Sequence, residues 1–365
     1  MVKIKDLVSI IENKFPPQTQ ENYDNSGLIV GDKEIEINSV LLTIDINEDV
    51  VDEAIEKKCN FIIAHHPIIF RPLKRITGSN YIEKTIIKAI KNDIAIYAAH
   101  TSVDNSDQGI NKYLCDLLEL KNQKIIQPKQ EMLFKLVTFV PNEHAEKVRT
   151  AIFDAGAGYI GNYDYCSYNT EGIGTFRAGE KANPFVGEKN KLHLENEIRI
   201  ETVFPGFLKG KIINALLNSH PYEEVAYDIY PLNNEYNKFG AGIIGDIENE
   251  ADEAEFLSII KNKFNVQSIR FSNLLNKKVK KVAVCSGAGN FLIEDAIAQK
   301  ADIYISSEFK YNQYIEAQKR IVIVDAGHYE TEVFIKNVFY ELLTKKFPNF
   351  AVEFSQKFQN PVNYL

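Results

Sequence analysis

Short runs of continuous apolar residues alternate with amphipathic stretches through the first third of the chain. Ile4–Phe15 has apolar positions at helical spacing and stops at Pro16-Pro17. Val40-Leu41-Leu42-Thr43-Ile44 is a β-branched run that ends at Asp45, and Glu48–Lys58 carries its apolar positions on one helical face. The pattern then predicts a buried strand over Phe61–Ala64, a helix over Ile82–Lys91, a strand over Ile94–Ala98 and a helix over Gln108–Leu118. Continuous apolar strands between amphipathic helices predict a parallel sheet covered on both faces.

Lys121–Gln130 is polar and reads as a linker, after which the rhythm changes. A strand over Leu133–Val140, a helix over Glu143–Asp154 and two or three strands between Tyr163 and Pro205 are expected, with clear alternation in Glu197–Val203. A helix over Phe207–Asn218 and a strand over Val225–Pro231 close this stretch. The order β-α-β-β-α-β is the ferredoxin-like split pattern. The first rhythm returns from Phe239, with strands at Lys281–Cys285, Ile303–Ser306 and Ile321–Val324. Helices are expected at Phe291–Gln299 and Tyr311–Gln318, then a long one at Glu330–Lys346, with one more strand at Ala351–Phe354. The fold class expected is α/β: one mostly parallel sheet with helices on both faces, interrupted by an inserted ferredoxin-like α+β domain. Its segments are residues 1–125, 126–235 and 236–365.

Composition changes this picture little. Apolar content of 45% and charged content of 25% over 365 residues are those of an ordinary globular protein. A net charge of −8 argues against a nucleic-acid binder, which usually carries a basic face. No apolar run has the length of a membrane span, and the N-terminus shows no signal-peptide pattern, so a cytoplasmic protein is expected. The four cysteines, Cys59, Cys115, Cys166 and Cys285, are widely spaced without a CxxC pair, and disulfides are not expected.

The candidate chemistry lies in three motifs, each ending a predicted strand. They are His65-His66-Pro67, His100-Thr101-Ser102-Val103-Asp104 and Gly327-His328-Tyr329-Glu330-Thr331-Glu332, and they hold four of the seven histidines. Neighbouring residues of a strand face opposite ways, but Pro67 turns the backbone where the strand stops, so His65 and His66 can serve one site. His328 and Glu332, four apart at a helix start, share a face. Ligands of open α/β sheets gather beyond the carboxyl ends of strands. Imidazoles and carboxylates together suit Zn, Fe or Mn better than calcium. Five ligands exceed what one catalytic zinc needs, and Glu332 bridging two divalent ions explains the surplus. His100 either orients Asp104 or water, or simply closes its strand.

These residues resemble the NIF-three-like family, also called the DUF thirty-four proteins or GTP cyclohydrolase I type 2 homologues. Tyr23-Asp24-Asn25-Ser26-Gly27-Leu28 is similar to its WDNxGL segment, and His65–Lys74 to its HHP signature with the following RPLK. His100–Asp104 is similar to its HTxxD box and Gly327–Glu332 to its GHxxxE box. The resemblance implies a dinuclear metal centre held by His65, His66, Asp104, His328 and Glu332, and a toroidal homohexamer. It also implies that the insert is a PII- or CutA-like domain, to which Tyr222-Glu223-Glu224-Val225-Ala226-Tyr227-Asp228 is similar. Two departures stand out: Tyr23 replaces the family's Trp, and Asn312 replaces the His of a Gly-Asp/Glu-x-x-Tyr-His element.

Glu308 survives in that element as a general-base candidate; a helix acid favoured by the dipole is the other reading. Arg71 and Lys74 follow the HHP motif and suit an anionic substrate group, or are solvated loop charges. Asp45 has a supporting place beside the metals, whereas Asp24 and Asn25 belong either to the cleft or to a turn. Ser286-Gly287-Ala288-Gly289 presents amides to an anion or is a plain strand-to-helix turn. His220 reads as a helix cap, and His144 and His193 as exposed. The expected function is metal-dependent hydrolysis of an anionic nucleotide- or pterin-like molecule, GTP ring opening being one possibility the resemblance suggests, with Glu308 or His100 moving protons. The alternative is a non-catalytic metal-binding hexamer whose insert senses a small molecule or a partner.

Overall fold

The computed structural model describes residues 2–365. The chain divides into two compact units, one made of the segments up to Pro128 and from Asn237, the other of Lys129–Tyr236.

The first segment of the larger unit contains α1 (Ile4–Lys14), β1 (Gly27–Val30), β2 (Val40–Thr43), α2 (Glu48–Glu56) and β3 (Phe61–Ala64). It continues with α3 (Tyr81–Lys91), β4 (Ala95–Ala98), α4 (Thr101–Asp104), α5 (Ile110–Leu117) and β5 (Lys121–Pro128). The smaller unit runs β6 (Leu133–Pro141), α6 (Ala145–Asp154), β7 (Tyr168–Arg177), β8 (Leu192–Pro205), α7 (Lys209–Ser219) and β9 (Tyr227–Leu232). The larger unit resumes with β10 (Gly240–Asp252), α8 (Glu253–Lys263), β11 (Arg270–Phe271), β12 (Lys278–Val284), α9 (Ile293–Ala298) and β13 (Ile303–Ser306). It ends with α10 (Tyr311–Glu316), β14 (Val322–Asp325), α11 (His328–Glu332), α12 (Ile335–Lys346) and β15 (Val352–Phe354).

Two sheets, not one, form the larger unit. The first has the order β1-β4-β3-β2-β15 and the second β11-β14-β13-β12-β10-β5. Antiparallel β1 covers the free edge of β4, so the second half of the chain builds its own sheet and returns only β15, parallel to β2. Parallel pairing is confined to β15-β2-β3-β4 and β12-β13-β14; the second sheet is mixed. The two sheets share a core: Leu42, Ile63 and Tyr97 of one and Val284, Ile305 and Val324 of the other pack with α1, α5, α8 and α12. The outer face of the first sheet packs on α2 and α3, and that of the second on α9 and its neighbours. Local caps fix the helix starts. Asn47 accepts a hydrogen bond from the Val50 amide, and Asn80 from the Glu83 amide.

Two expectations about single elements of the larger unit also fail, for identifiable reasons. Lys121–Gln130 is no linker; most of it is β5, paired with β10 at the edge of the second sheet. Only Ile125 and Ile126 of that strand are buried, and a solvated edge needs no apolar run. The helix expected over Glu330–Lys346 starts two residues earlier, at His328, and is broken at Val333-Phe334 into α11 and α12. Gly327, at φ +93°, makes the turn that starts α11.

In the smaller unit the sheet order is β7-β8-β6-β9, antiparallel throughout. α6 and α7 cover one face through Leu136, Val140, Ile200 and Phe204. His144 and His193 are half-buried here rather than exposed, since each packs on a phenylalanine, Phe185 and Phe176 respectively. His220 ends α7 and bonds the Phe139 carbonyl at 3.0 Å through Nε2.

Candidate metal centre

Strand ends position this cluster. β3 delivers His65 and His66, whose amides are held by the Ile44 carbonyl beyond β2. β4 delivers His100 and leads directly into α4, which ends on Asp104. β14 leads through Gly327 to His328 and Glu332 on α11. All five expected ligands and His100 meet there, although the two sheets supply them separately.

Each imidazole is held from behind by its Nδ1. His65 Nδ1 donates to the Ala99 carbonyl at 2.9 Å, His66 Nδ1 meets Asp45 at 3.0 Å, His100 Nδ1 meets Asp24 at 2.8 Å and His328 Nδ1 meets Glu308 at 2.8 Å. This is the supporting arrangement that fixes a ligating histidine's tautomer and ring. The Nε2 atoms of His66 and His328 then lie 3.0 and 3.1 Å from Glu332 Oε2, and that of His65 lies 3.6 Å from Asp104 and 3.7 Å from Glu332 Oε1. His65, His66 and His100 place ring nitrogens within 4.8 Å of one another, and so do His66, His328 and Glu332 their donor atoms. Two overlapping donor groups thus share His66.

His65 Nε2 and Glu332 Oε2 are buried and have no hydrogen-bond partner. A bare buried polar atom costs about 1–3 kcal/mol. A cation at the focus of these atoms satisfies both, so the residues present fit a divalent metal.

Electrostatics agree. Burial opposes charge on His66, but Asp45 and Glu332 outweigh it and push the ring up to about 11. His328 rises to about 9, Glu332 and Glu308 again outweighing burial. Burial also disfavours ionised Glu332, yet His65 and His328 hold its carboxyl well below the usual range. For Asp104 burial wins over His65 and His100, and its carboxyl is raised. Without a metal, the neighbouring carboxylates favour the protonated form of His66 and His328.

The cluster opens into a cleft of about 590 Å³, lined also by Asp45, Glu308, Arg270, Asp325, Glu330 and Tyr364. Glu308 has the left-handed backbone, φ +59°, a strained conformation for a non-glycine residue. Arg71 and Lys74 are exposed and do not line the cleft; Arg270, paired with Asp325, does. The tail bonds Glu330 through Asn360 and Tyr364, both at 2.8 Å. Sequence reasoning missed Arg270 and the tail, because a two-residue strand and an irregular terminus carry no periodic signal; Glu330 stood inside the Gly327–Glu332 motif without a role of its own. Asp24 holds His100 and the Thr101 amide, so it is more than a turn residue. Ser286 and Gly287 spend their amides on Asn111 and Thr331, and Gly289 on Ser306, so this loop is a turn rather than an anion nest. Gly287 matters for space: a Cβ there would lie 2.2 Å from Glu332 Oε1. Asn312 is exposed, bonds Glu316 and does not line the cleft.

Fold and cluster together define a two-sheet α/β protein with histidine and carboxylate side chains gathered at strand ends. The chain belongs to the Duf34/NIF3 (NGG1p interacting factor 3) family, whose model matches residues 2–361. It is 39% identical to a Bacillus subtilis protein named "GTP cyclohydrolase 1 type 2 homolog", over 99% of this chain and 98% of that one. A Staphylococcus aureus protein of the same name is 31% identical over the whole of both chains. Among solved structures, a Bacillus cereus protein related to NIF3 superposes with a TM-score of 0.86 at 39% identity, covering 100% of this chain and 99% of that one. No helix among the described residues is long and apolar enough to cross a membrane.

Proposed function

We propose that this protein holds two divalent metal ions and uses them to hydrolyse an anionic nucleotide- or pterin-like small molecule, the substrate class its relatives' name suggests. The pair of bare buried atoms, His65 Nε2 and Glu332 Oε2, carries this reading. His65, His66, Asp104, His328 and Glu332 are the ligands, with Zn, Fe or Mn as the ions. His100 has the geometry of a further ligand beside His65 and His66. Divalent ions held there supply Lewis-acid polarisation of an electrophile and a lowered pKa for water.

The protein's own groups do the rest. Glu308 lines the cleft with its side chain 57% exposed, and can take a proton from water there while its Oε1 steadies His328. Arg270 replaces Arg71 and Lys74 as the group that meets a substrate anion, turning from Asp325 to do so. The insert is read as a ferredoxin-like, PII/CutA-like domain on its β-α-β-β-α-β order, and the assembly as a cytoplasmic toroidal hexamer on the family resemblance. The test is elemental analysis of the full chain purified without chelator. About two divalent ions per chain are expected; a metal-free protein that takes up none on dialysis overturns the proposal.

Asn312 favours a second reading, in which the centre is structural and the insert senses a ligand. A screen of phosphoesters, nucleotides and cyclic amides against the metal-loaded protein separates the two. Turnover lost in Asp104→Ala supports the hydrolase, and no turnover supports the sensor.

A further inference from the structure

The smaller unit contains a cavity of its own, of about 640 Å³, whose lining residues all fall between Phe139 and Ala226. Strand alternation creates it. Even-numbered positions of β6 and β8, such as Leu136, Val140 and Ile200, face α6 and α7. Phe139, Glu197 and Arg199 therefore point to the other face, away from α6 and α7, the two α-helices of this unit. Loop segments containing Phe185 and Tyr222 lie over that face. Glu223 steadies the cover by accepting the Asn183 amide at 2.7 Å.

The chemistry inside is unusual for a sheet surface. Phe176, Phe185 and Tyr222 form an aromatic wall, with ring centres 6.2 and 6.3 Å from Tyr222. Against it lies the carboxylate of Glu197, a residue only 9% exposed. Tyr222 donates its phenol hydrogen to Glu197 Oε1 at 2.9 Å. Glu197 Oε2 occupies the space of the missing side chain of Gly174, since a Cβ there would lie 2.2 Å from it. The glycine in β7 thus makes room for the carboxylate. Among the described residues no cation pairs with Glu197; the neighbouring Arg199 pairs with Glu201 instead, at 2.9 Å. Carboxylates outnumber guanidiniums in the lining by four to two, Glu171, Glu197, Glu223 and Glu224 against Arg177 and Arg199.

A buried carboxylate without a cation is costly. An aromatic wall beside such a carboxylate attracts a cation by both its π-face and its charge. We infer that this cavity is a binding site for a small organic cation, an amine or amidine on a flat apolar body, with Glu197 as its counter-ion and Phe176, Phe185 and Tyr222 as its walls. The site lies wholly within the inserted unit and does not depend on the metal centre.

The experiment is calorimetric titration of the full chain with benzamidine and agmatine as cations, and with benzamide as the neutral isostere of benzamidine. Benzamidine should bind at least about tenfold tighter than benzamide. Glu197→Gln keeps the shape and an acceptor for Tyr222, and should weaken benzamidine by at least about tenfold while leaving metal content unchanged. Phe185→Ala, at a half-exposed position that cannot unfold the core, should weaken it severalfold and decides the matter if Glu197→Gln is unstable. Equal affinity for benzamidine and benzamide overturns the inference. So does undiminished benzamidine binding in both variants. Absence of binding by either cation, with a change of oligomeric mass in Phe185→Ala, also overturns it, and assigns the face to a second copy of the chain.

Discussion

The metal cleft and the cavity of the inserted unit are close in size, about 590 and 640 Å³, and opposite in construction. The cleft is built of titratable groups that brace one another, each histidine backed by a carboxylate or a carbonyl. The cavity is built of aromatic rings around one buried carboxylate. Both leave charge or lone pairs unanswered in a buried place, and each therefore asks for a cation. They differ in hardness: bare imidazole nitrogen with carboxylate oxygen suits a metal ion, whereas ring faces suit an organic cation.

The largest expected effect separates the two regions outright. Changing His65 and Glu332 together to Ala should reduce bound metal to below about half an ion per chain, because a two-ligand loss dismantles both donor groups. Titration of the same variant with benzamidine should be unchanged. Metal content that survives the double change breaks the assignment of the cleft, whatever the cavity does.

Proton linkage sharpens the contrast next. His66 and His328 are raised to about 11 and about 9, so near neutral pH the metal-free centre holds protons that a metal must displace. Metal affinity should therefore rise with pH between 6 and 8, by about tenfold per pH unit for each proton displaced. Stability of the chelated protein should run the other way. A histidine with a raised folded-state pKa contributes fully below its unfolded value near 6.5, and loses that contribution as pH climbs through the raised value. Melting the chelated protein and the metal-loaded protein from pH 6 to 9 checks both signs; parallel curves would show that these imidazoles do not meet the metal.

A third effect tests how tightly the cleft is packed. Gly287 has φ +58°, and a Cβ would meet Glu332 Oε1 at 2.2 Å. Gly287→Ala should cost about 1–3 kcal/mol of stability through backbone strain and displace Glu332. Metal affinity should fall at least about tenfold with it, since Glu332 supplies the carboxylate of the donor group it forms with His66 and His328. A variant that binds metal normally would mean that Glu332 has room to move.

The contrast also explains what was legible in the sequence. Histidines are rare here, and four of them stand at the ends of apolar runs, so the ligand set stands out from spacing alone. Asp45 was legible for the same reason, as an acid ending a strand. Glu197, Gly174 and Tyr222 are ordinary residues on three separate segments, and only the pairing of β7 with β8 brings the first two together. Edge strand β5 was missed because solvated edges lack the apolar run that marks a central strand. The single sheet was a misreading of rhythm. Alternating strands and helices report parallel pairing within each half, but nothing in that pattern shows that β1 covers β4 and that β15 alone crosses back.

The smallest expected effect concerns anion recognition, where residues near the motif and residues in the cleft make different claims. Arg71 and Lys74 follow His66 in the chain but are exposed and outside the lining. Arg270 lies far away in the chain yet lines the cleft, its guanidinium on Asp325. The acids around it, among them Glu308, Asp325 and Glu330, make the metal-free cleft a poor anion site. Anion binding should therefore require metal first and Arg270 second. Binding of inorganic pyrophosphate to the metal-loaded full chain, measured by calorimetry, should weaken about tenfold in Arg270→Ala, the loss of one charge-assisted contact. Arg270→Lys should recover part of it, and metal content should stay at the parent level in both. In Arg71→Ala and Lys74→Ala the change should stay below about twofold, as for solvated charges. The reverse ranking would return substrate recognition to the loop after His66-Pro67 and leave Arg270 as a clamp on Asp325 at the end of β14.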